Sequence, residues 1–213
     1  GDSLRTWFDD NIEYLNGRDF YDSRNVTWSA KQKNELIENM NVNAVPDVIH
    51  RRFGLIVERA DMRLFPTFHA GFSDVKWELD FFQTTAVYSA APAAILHRST
   101  YGDYYYVQTA YGRGWIAAEK IAFASRKTVR KFYKDDEFLL STGDQVPVYG
   151  DKDFETFLRF FYMSEKLPLK KMSRKAVVVS IPMRKSDGSL GYTRGYIRPG
   201  ADVHKGYLPY TKA

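Results

Sequence analysis

The residue types that carry out covalent chemistry are sparse in this 213-residue chain and poorly placed for it. There is no cysteine, which removes a thiolate nucleophile, a thiolate metal site and a disulfide framework together. Ser3, in the opening Gly-Asp-Ser-Leu, and the pair Asp47 and His50 supply the residue types of a serine hydrolase triad. Such a serine must leave a buried strand at a fixed angle, and no strand precedes Ser3. The Asp-x-x-His pair also follows too soon for a sheet to close between them. His50, His69, His97 and His204 form no i, i+3 or i, i+4 pair and stand in no carboxylate cluster. No catalytic residue, metal or cofactor is therefore expected.

Recognition chemistry is better represented. Aromatic residues make up 16% of the chain, with 15 Tyr, 15 Phe and 4 Trp. They concentrate in residues 101–121, where Tyr104-Tyr105-Tyr106-Val107 runs into a Gly-rich turn and then Gly114-Trp115-Ile116. Two short strands joined this way place Tyr104, Tyr106 and Trp115 on neighbouring positions, with alternate residues on opposite faces. The rings either fill a core or present a flat face for stacking, and three tyrosines in a row cannot all point inward.

Net charge is +5, from 31 basic and 26 acidic residues. This near balance argues against a dedicated nucleic-acid binder. Arg126-Lys127, Arg130-Lys131, Lys170-Lys171 and Arg174-Lys175 are local basic clusters, read either as a solvated face or as docking points for an anionic polymer. Asn25-Val26-Thr27 fits the N-glycosylation pattern, a match that arises often by chance. No apolar run approaches the ~18 residues a membrane span needs. The N-terminus lacks the basic stretch and apolar core of a signal peptide.

The elements that position these residues follow from periodicity. Leu4, Trp7, Phe8, Ile12 and Leu15 recur at helical spacing up to Asn16-Gly17. Ser29 with Gln32 forms a capping box ahead of Leu36, Ile37 and Met40. From Phe53 the pattern becomes short extended runs: 55–57, 63–67, 84–88, 94–98, 104–109 and 114–116. Residues 126–134 are basic and read as a bridge between modules. A second β-rich stretch covers 138–141, 146–149, 176–181 and 191–197, with a hairpin turn at Asp187-Gly188 and a helix-like run at 154–163. The two β regions read as possible weak copies of each other. The fold class is mainly β: two small SH3-like antiparallel β-barrels behind a helical N-terminal segment. The expected boundaries are 2–52, 53–125 and 126–213.

Residues 102–121, an aromatic strand, a short turn and Gly-Trp-Ile, resemble a bacterial SH3-like domain. Residues 59–67 (Arg-Ala-Asp-Met-Arg-Leu-Phe-Pro-Thr), 82–86 and 92–97 resemble the first such domain of NlpC/p60 cell-wall peptidases. Residues 142–149 (Thr-Gly-Asp-Gln-Val-Pro-Val-Tyr) resemble the start of the second, and 203–211 the segment that leads into the catalytic domain. The resemblance implies a parent enzyme that cleaves peptidoglycan stem peptides between D-glutamate and a diamino acid, with a cysteine nucleophile activated by histidine. This chain has no cysteine and ends at Ala213, where that catalytic domain would begin, so it is expected to be the non-catalytic part. The implied role is wall targeting and restriction of the substrate's peptide end, in the cell envelope, periplasmic or secreted. The implied partners are peptidoglycan or its stem peptides and a catalytic NlpC/p60 domain in the parent chain, with no nucleic acid and no membrane span.

On that reading, the expected ligand-binding residues are Tyr104, Tyr106, Tyr111, Arg113 and Trp115, with rings against sugar or peptide and cations against carboxylates. Two alternatives use the same elements. One is a stand-alone module for wall polymer or a protein partner; the other is a nucleic-acid-binding barrel, which the near balance of charge disfavours.

Overall fold

A computed structural model describes residues 1–73, 79–134 and 137–208. The chain forms two compact units. The first gathers Gly1–Phe53, Arg59–Val87 and Ala93–Ile121, and the second gathers Gly54–Glu58, Tyr88–Pro92 and Ala122–Ala213.

The chain opens with two helices. In α1 (Asp2–Asn16) the apolar stripe buries Leu4, Phe8 and Leu15, as its spacing predicts. It closes at Gly17, whose N–H donates to the Glu13 carbonyl at 2.9 Å. In α2 (Ala30–Asn39) the capping box forms in both directions. The Gln32 amide N–H reaches Ser29 Oγ at 3.3 Å, and the Ser29 N–H reaches Gln32 Oε1 at 2.9 Å.

Seven strands follow: β1 (Arg52–Ile56), β2 (Ala60–Arg63), β3 (Gln83–Val87), β4 (Pro92–Arg98), β5 (Tyr104–Thr109), β6 (Gly112–Ala117) and β7 (Ile121–Ala124). Their order in the sheet is β3-β2-β6-β5-β4-β1-β7. After α3 (Arg126–Tyr133) come β8 (Phe138–Ser141), β9 (Gln145–Tyr149), β10 (Phe157–Tyr162), β11 (Lys166–Met172), β12 (Val177–Arg184), β13 (Leu190–Ile197) and β14 (Val203–Lys205). Their order is β10-β9-β13-β12-β11-β8-β14. The two orders correspond strand for strand, β1 with β8 through to β7 with β14. The fold is mainly β, with two SH3-like sheets and a helical N-terminal segment, as the sequence leads one to expect.

The correspondence extends to residues. Arg113, Gly114, Trp115 and Ile116 on β6 match Arg194, Gly195, Tyr196 and Ile197 on β13. Both glycines are places of close approach. A Cβ on Gly114 would sit 2.7 Å from the Arg63 carbonyl oxygen, and one on Gly195 would sit 2.5 Å from Ile181 Cδ1.

Several local expectations need correction. Residues 154–163 hold strand β10 instead of a helix, because an aromatic run has no period of its own and β9 offers antiparallel partners such as Phe161↔Val146. Of residues 63–67, only Arg63 lies in a strand; Leu64, Phe65 and Pro66 bend. The basic stretch after Ser125 is helical, capped by the Thr128 N–H donating to Ser125 Oγ at 3.1 Å. Strands β7 and β11 and the short β14 went unread in the sequence. Residues 209–211 of the segment taken to lead into a catalytic domain lie outside the described residues.

A buried ion pair organises the second unit. Glu165 is 2% exposed, and its Oε1 and Oε2 both accept from Arg159 Nη2, at 2.8 and 2.7 Å. The amide N–H groups of Ser89 and Tyr162 donate to the same carboxylate, each at 3.0 Å. Arg159 also donates to Ser89 Oγ and to the Val57 carbonyl. Burial pushes the Glu165 carboxyl up, and Arg159 with the two amides pulls against it.

Candidate functional site

The residues expected to bind ligand separate into three environments. Trp115 is fully buried and Tyr106 is 3% exposed; the two pair directly across β5 and β6. Phe8 of α1 stacks on Trp115 at 5.4 Å and meets Tyr106 edge-on at 4.9 Å. Both rings are core, because α1 covers their face of the sheet. The Trp115 Nε1–H has no acceptor among the described residues.

Arg113 points back at the helix, with its guanidinium 3.7 Å over the Trp7 ring. With Asp10, Asn11, Leu64 and Tyr106 it lines a small pocket of about 180 Å³. Tyr111 lies in the β5–β6 turn and is exposed. Tyr104 is buried on the sheet but reaches the edge of a larger cleft. Burial pushes the Tyr104 and Tyr106 phenols up to about 12, so both stay protonated at neutral pH.

The larger cleft measures about 400 Å³ and lies wholly within the first unit. Four segments build it: the loop after α1, the exposed edge of α2, the bend after Leu64, and the β4–β5 turn. Asp22 shapes the first, accepting from the Arg24 and Val26 amides at 2.9 Å each and from the Arg24 guanidinium at 2.7 Å. These bonds, the Val26 amide foremost, hold its carboxyl below the usual range. Asn39 ties α2 to the other two segments. Its Nδ2–H donates to the Pro66 carbonyl at 3.0 Å, and its Oδ1 accepts from the Tyr101 amide at 3.3 Å.

These ties leave two rings in solvent, Phe68 at 78% and Tyr101 at 70% exposure. Phe68 leans on His69, and His69 on the edge of Trp28, whose Nε1–H donates to the Ala70 carbonyl at 3.2 Å. Glu35 and Asp103 add carboxylates to the lining, alongside the Asp22–Arg24 ion pair. Such a cleft can hold an amine-bearing, partly planar ligand by stacking and charge. Among the described residues, no Ser or Thr hydroxyl bonds a histidine ring, and no group of three His, Cys, Asp or Glu side chains could hold a metal. Sequence reasoning missed Phe68, Tyr101 and the carboxylates. The available signal was an aromatic beside a turn-former, Phe68 after Pro66 and Tyr101 before Gly102.

Residues 68–117, spanning this bend and the β5–β6 hairpin, match the family model of an SH3 domain of the SH3b1 type. The resemblance read from the sequence holds. A solved structure of an NlpC/P60 endopeptidase from Photobacterium damselae subsp. piscicida superposes with a TM-score of 0.77. It covers 95% of this chain at 18% identity, which shows a shared fold. The chain spans only 44% of that endopeptidase's length. No curated protein matches. Among the described residues, no helix is long and apolar enough to cross a membrane.

Proposed function

We propose that this chain is the non-catalytic, peptidoglycan-associated region of an NlpC/P60-type endopeptidase of the cell envelope. In this reading, a helical segment over 2–52 supports two SH3-like domains, 53–125 and 126–213. The observation that carries it is the fold shared over 95% of this chain with less than half of an NlpC/P60 endopeptidase. The absence of any cysteine supports a binding role for the chain itself.

The first domain's role is to restrict substrate. Phe68 and Tyr101 stack on the sugar or peptide surface, while Glu35 and Asp103 attract the amine of a stem peptide. The parent's substrate is then a γ-D-glutamyl-diamino-acid stem peptide. The test is co-sedimentation of the pure chain with purified insoluble peptidoglycan, followed by analysis of released peptides. Binding without release is expected, weakened in a Phe68→Ala/Tyr101→Ala variant. A chain that stays in the supernatant, or one that itself cleaves stem peptides, overturns the reading.

A further inference from the structure

A second groove, of about 510 Å³, lies on the outer face of β11, β12 and β13, within the second unit. Strand register explains its composition. Val178 pairs with Tyr196, Ser180 with Arg194 and Pro182 with Tyr192, so these residues share one face. The opposite face buries Val177, Val179, Ile181 and Ile197. A register shift between Leu169 and Lys171 inserts an extra residue in β11. That bulge lets two consecutive lysines, Lys170 and Lys171, line the same groove instead of pointing to opposite faces.

The groove is thus cationic and aromatic, and none of its lining residues is acidic. Among the described residues, Lys170, Lys171 and Arg194 take part in no ion pair. Phe132 of α3 stacks on Tyr192 at 6.0 Å and 15°, which fixes that ring at the groove's end. In the first unit the equivalent Arg113 and Trp115 are spent on α1; here the same motif faces solvent.

We infer that this groove binds the carboxylate-bearing glycopeptide of the cell wall, the three cations meeting carboxylates and the two tyrosines lying against sugar or peptide surfaces. The inference rests on the function proposed above and gives the second SH3-like sheet its own part in it. Charge complementarity names the ligand class. Tyr192 and Tyr196 stand four residues apart, about 13 Å along the strand at ~3.3 Å per residue, with Arg194 between them. Rings this far apart, with a guanidinium between them, can touch an extended ligand at two points and hold an anion between those points.

The experiment is calorimetric titration of the full chain with a soluble disaccharide–stem peptide in two forms, carboxylates free and carboxylates amidated. A Lys170→Ala/Lys171→Ala/Arg194→Ala variant, all at exposed positions, is titrated alongside, with its melting curve as the folding control. Loss of three charge-assisted contacts is expected to weaken binding by about tenfold or more, steeply with added salt. Amidation of the ligand is expected to weaken wild-type binding similarly, a result independent of any variant's folding.

Equal affinity of variant and wild type, or of the two ligand forms, overturns the inference. If wild type binds insoluble peptidoglycan and the triple variant binds it equally well, only this inference falls. If wild type binds neither form, this inference falls, and the proposed function falls with it only if the chain also stays in the supernatant with insoluble peptidoglycan. Tighter binding of a single-stranded oligonucleotide than of the glycopeptide assigns the groove to nucleic acid and also overturns it.

Discussion

Arg113 and Arg194 hold the same place in two sheets of one topology, each followed by glycine, an aromatic and isoleucine, yet their surroundings are opposite. In the first unit, α1 lays Phe8 on Trp115 and Trp7 under Arg113, and the face becomes core. In the second unit, Arg194 is exposed and Tyr196 lines an open groove. The difference shows that one strand pair can be either covered or left open to solvent. Whether the pair becomes core depends on what covers it, not on the motif.

The sharpest way to break this comparison is to truncate the equivalent aromatics. Trp115→Ala is expected to cost about 3–5 kcal/mol, the range for a fully buried ring. Tyr196→Ala, half-buried at the groove, is expected to cost about 1–2 kcal/mol and to lower ligand affinity instead. Trp115→Phe should lie well below Trp115→Ala, because it keeps most of the packing and removes an N–H that has no acceptor. Urea denaturation measures all three, and equal costs at positions 115 and 196 would erase the distinction between covered and open faces.

Of similar size is the loss of Arg159, which leaves the Glu165 carboxylate buried without its cation. Arg159→Ala is expected to destabilise the second unit by about 3–5 kcal/mol. Replacing the pair together, as Arg159→Met/Glu165→Leu, should recover much of that loss in the same denaturation assay. The tryptophans of the described residues, Trp7, Trp28 and Trp115, all lie in the first unit, so circular dichroism, which sees both units, is the appropriate probe.

The two glycines sharpen the comparison at an intermediate scale. Each is needed for close packing whichever face is covered, so both alanine variants should be destabilised, by about 1–3 kcal/mol. Gly114→Ala should be the worse. Its new Cβ meets the Arg63 backbone oxygen, whereas that of Gly195→Ala meets the ends of the Ile181 and Val148 side chains, which can shift. The reverse ranking in thermal melts would mean that the second sheet is the more rigid.

The smallest effect is a pH dependence expected of the covered face. His97 packs against Phe8 and Trp115, and its Nε2–H donates to the Asn41 carbonyl at 3.0 Å. Burial pushes the imidazole below its ordinary value of 6.5, against the pull of the Asn41 and Met40 carbonyls. The unfolded chain therefore takes up this proton more readily than the folded one. The His97 contribution is full above about pH 6.5 and is lost as pH falls toward the depressed folded value. Tryptophan-detected melts from pH 7.5 downward should show this decline, and His97→Gln should flatten it.

Much of the fold was legible because its signals are local. The Ser29–Gln32 capping box, the α1 stripe ending at Gly17 and the Asp187-Gly188 turn each depend on residues within a few positions. The errors arose where the deciding partner is distant. The run around Phe160 is a strand because β9 pairs with it, and Lys170 and Lys171 share a groove because of a bulge against β12. At the candidate site, Tyr104, Tyr106 and Trp115 were correctly placed on neighbouring strands, while their burial was not readable. The helix that covers them lies nearly a hundred residues earlier in the chain.

The sequence by itself determined the mainly β class, the helical start, the lack of thiol chemistry and the two aromatic-and-glycine strand pairs, since composition and short-range periodicity suffice for these. Only the tertiary structure decided that the two sheets share one strand order and that α1 covers the first pair while the second stays open. It also decided that the exposed rings lining the first unit's larger cleft are Phe68 and Tyr101. A strand offers its two faces equally, and long-range packing alone determines which face is removed from water.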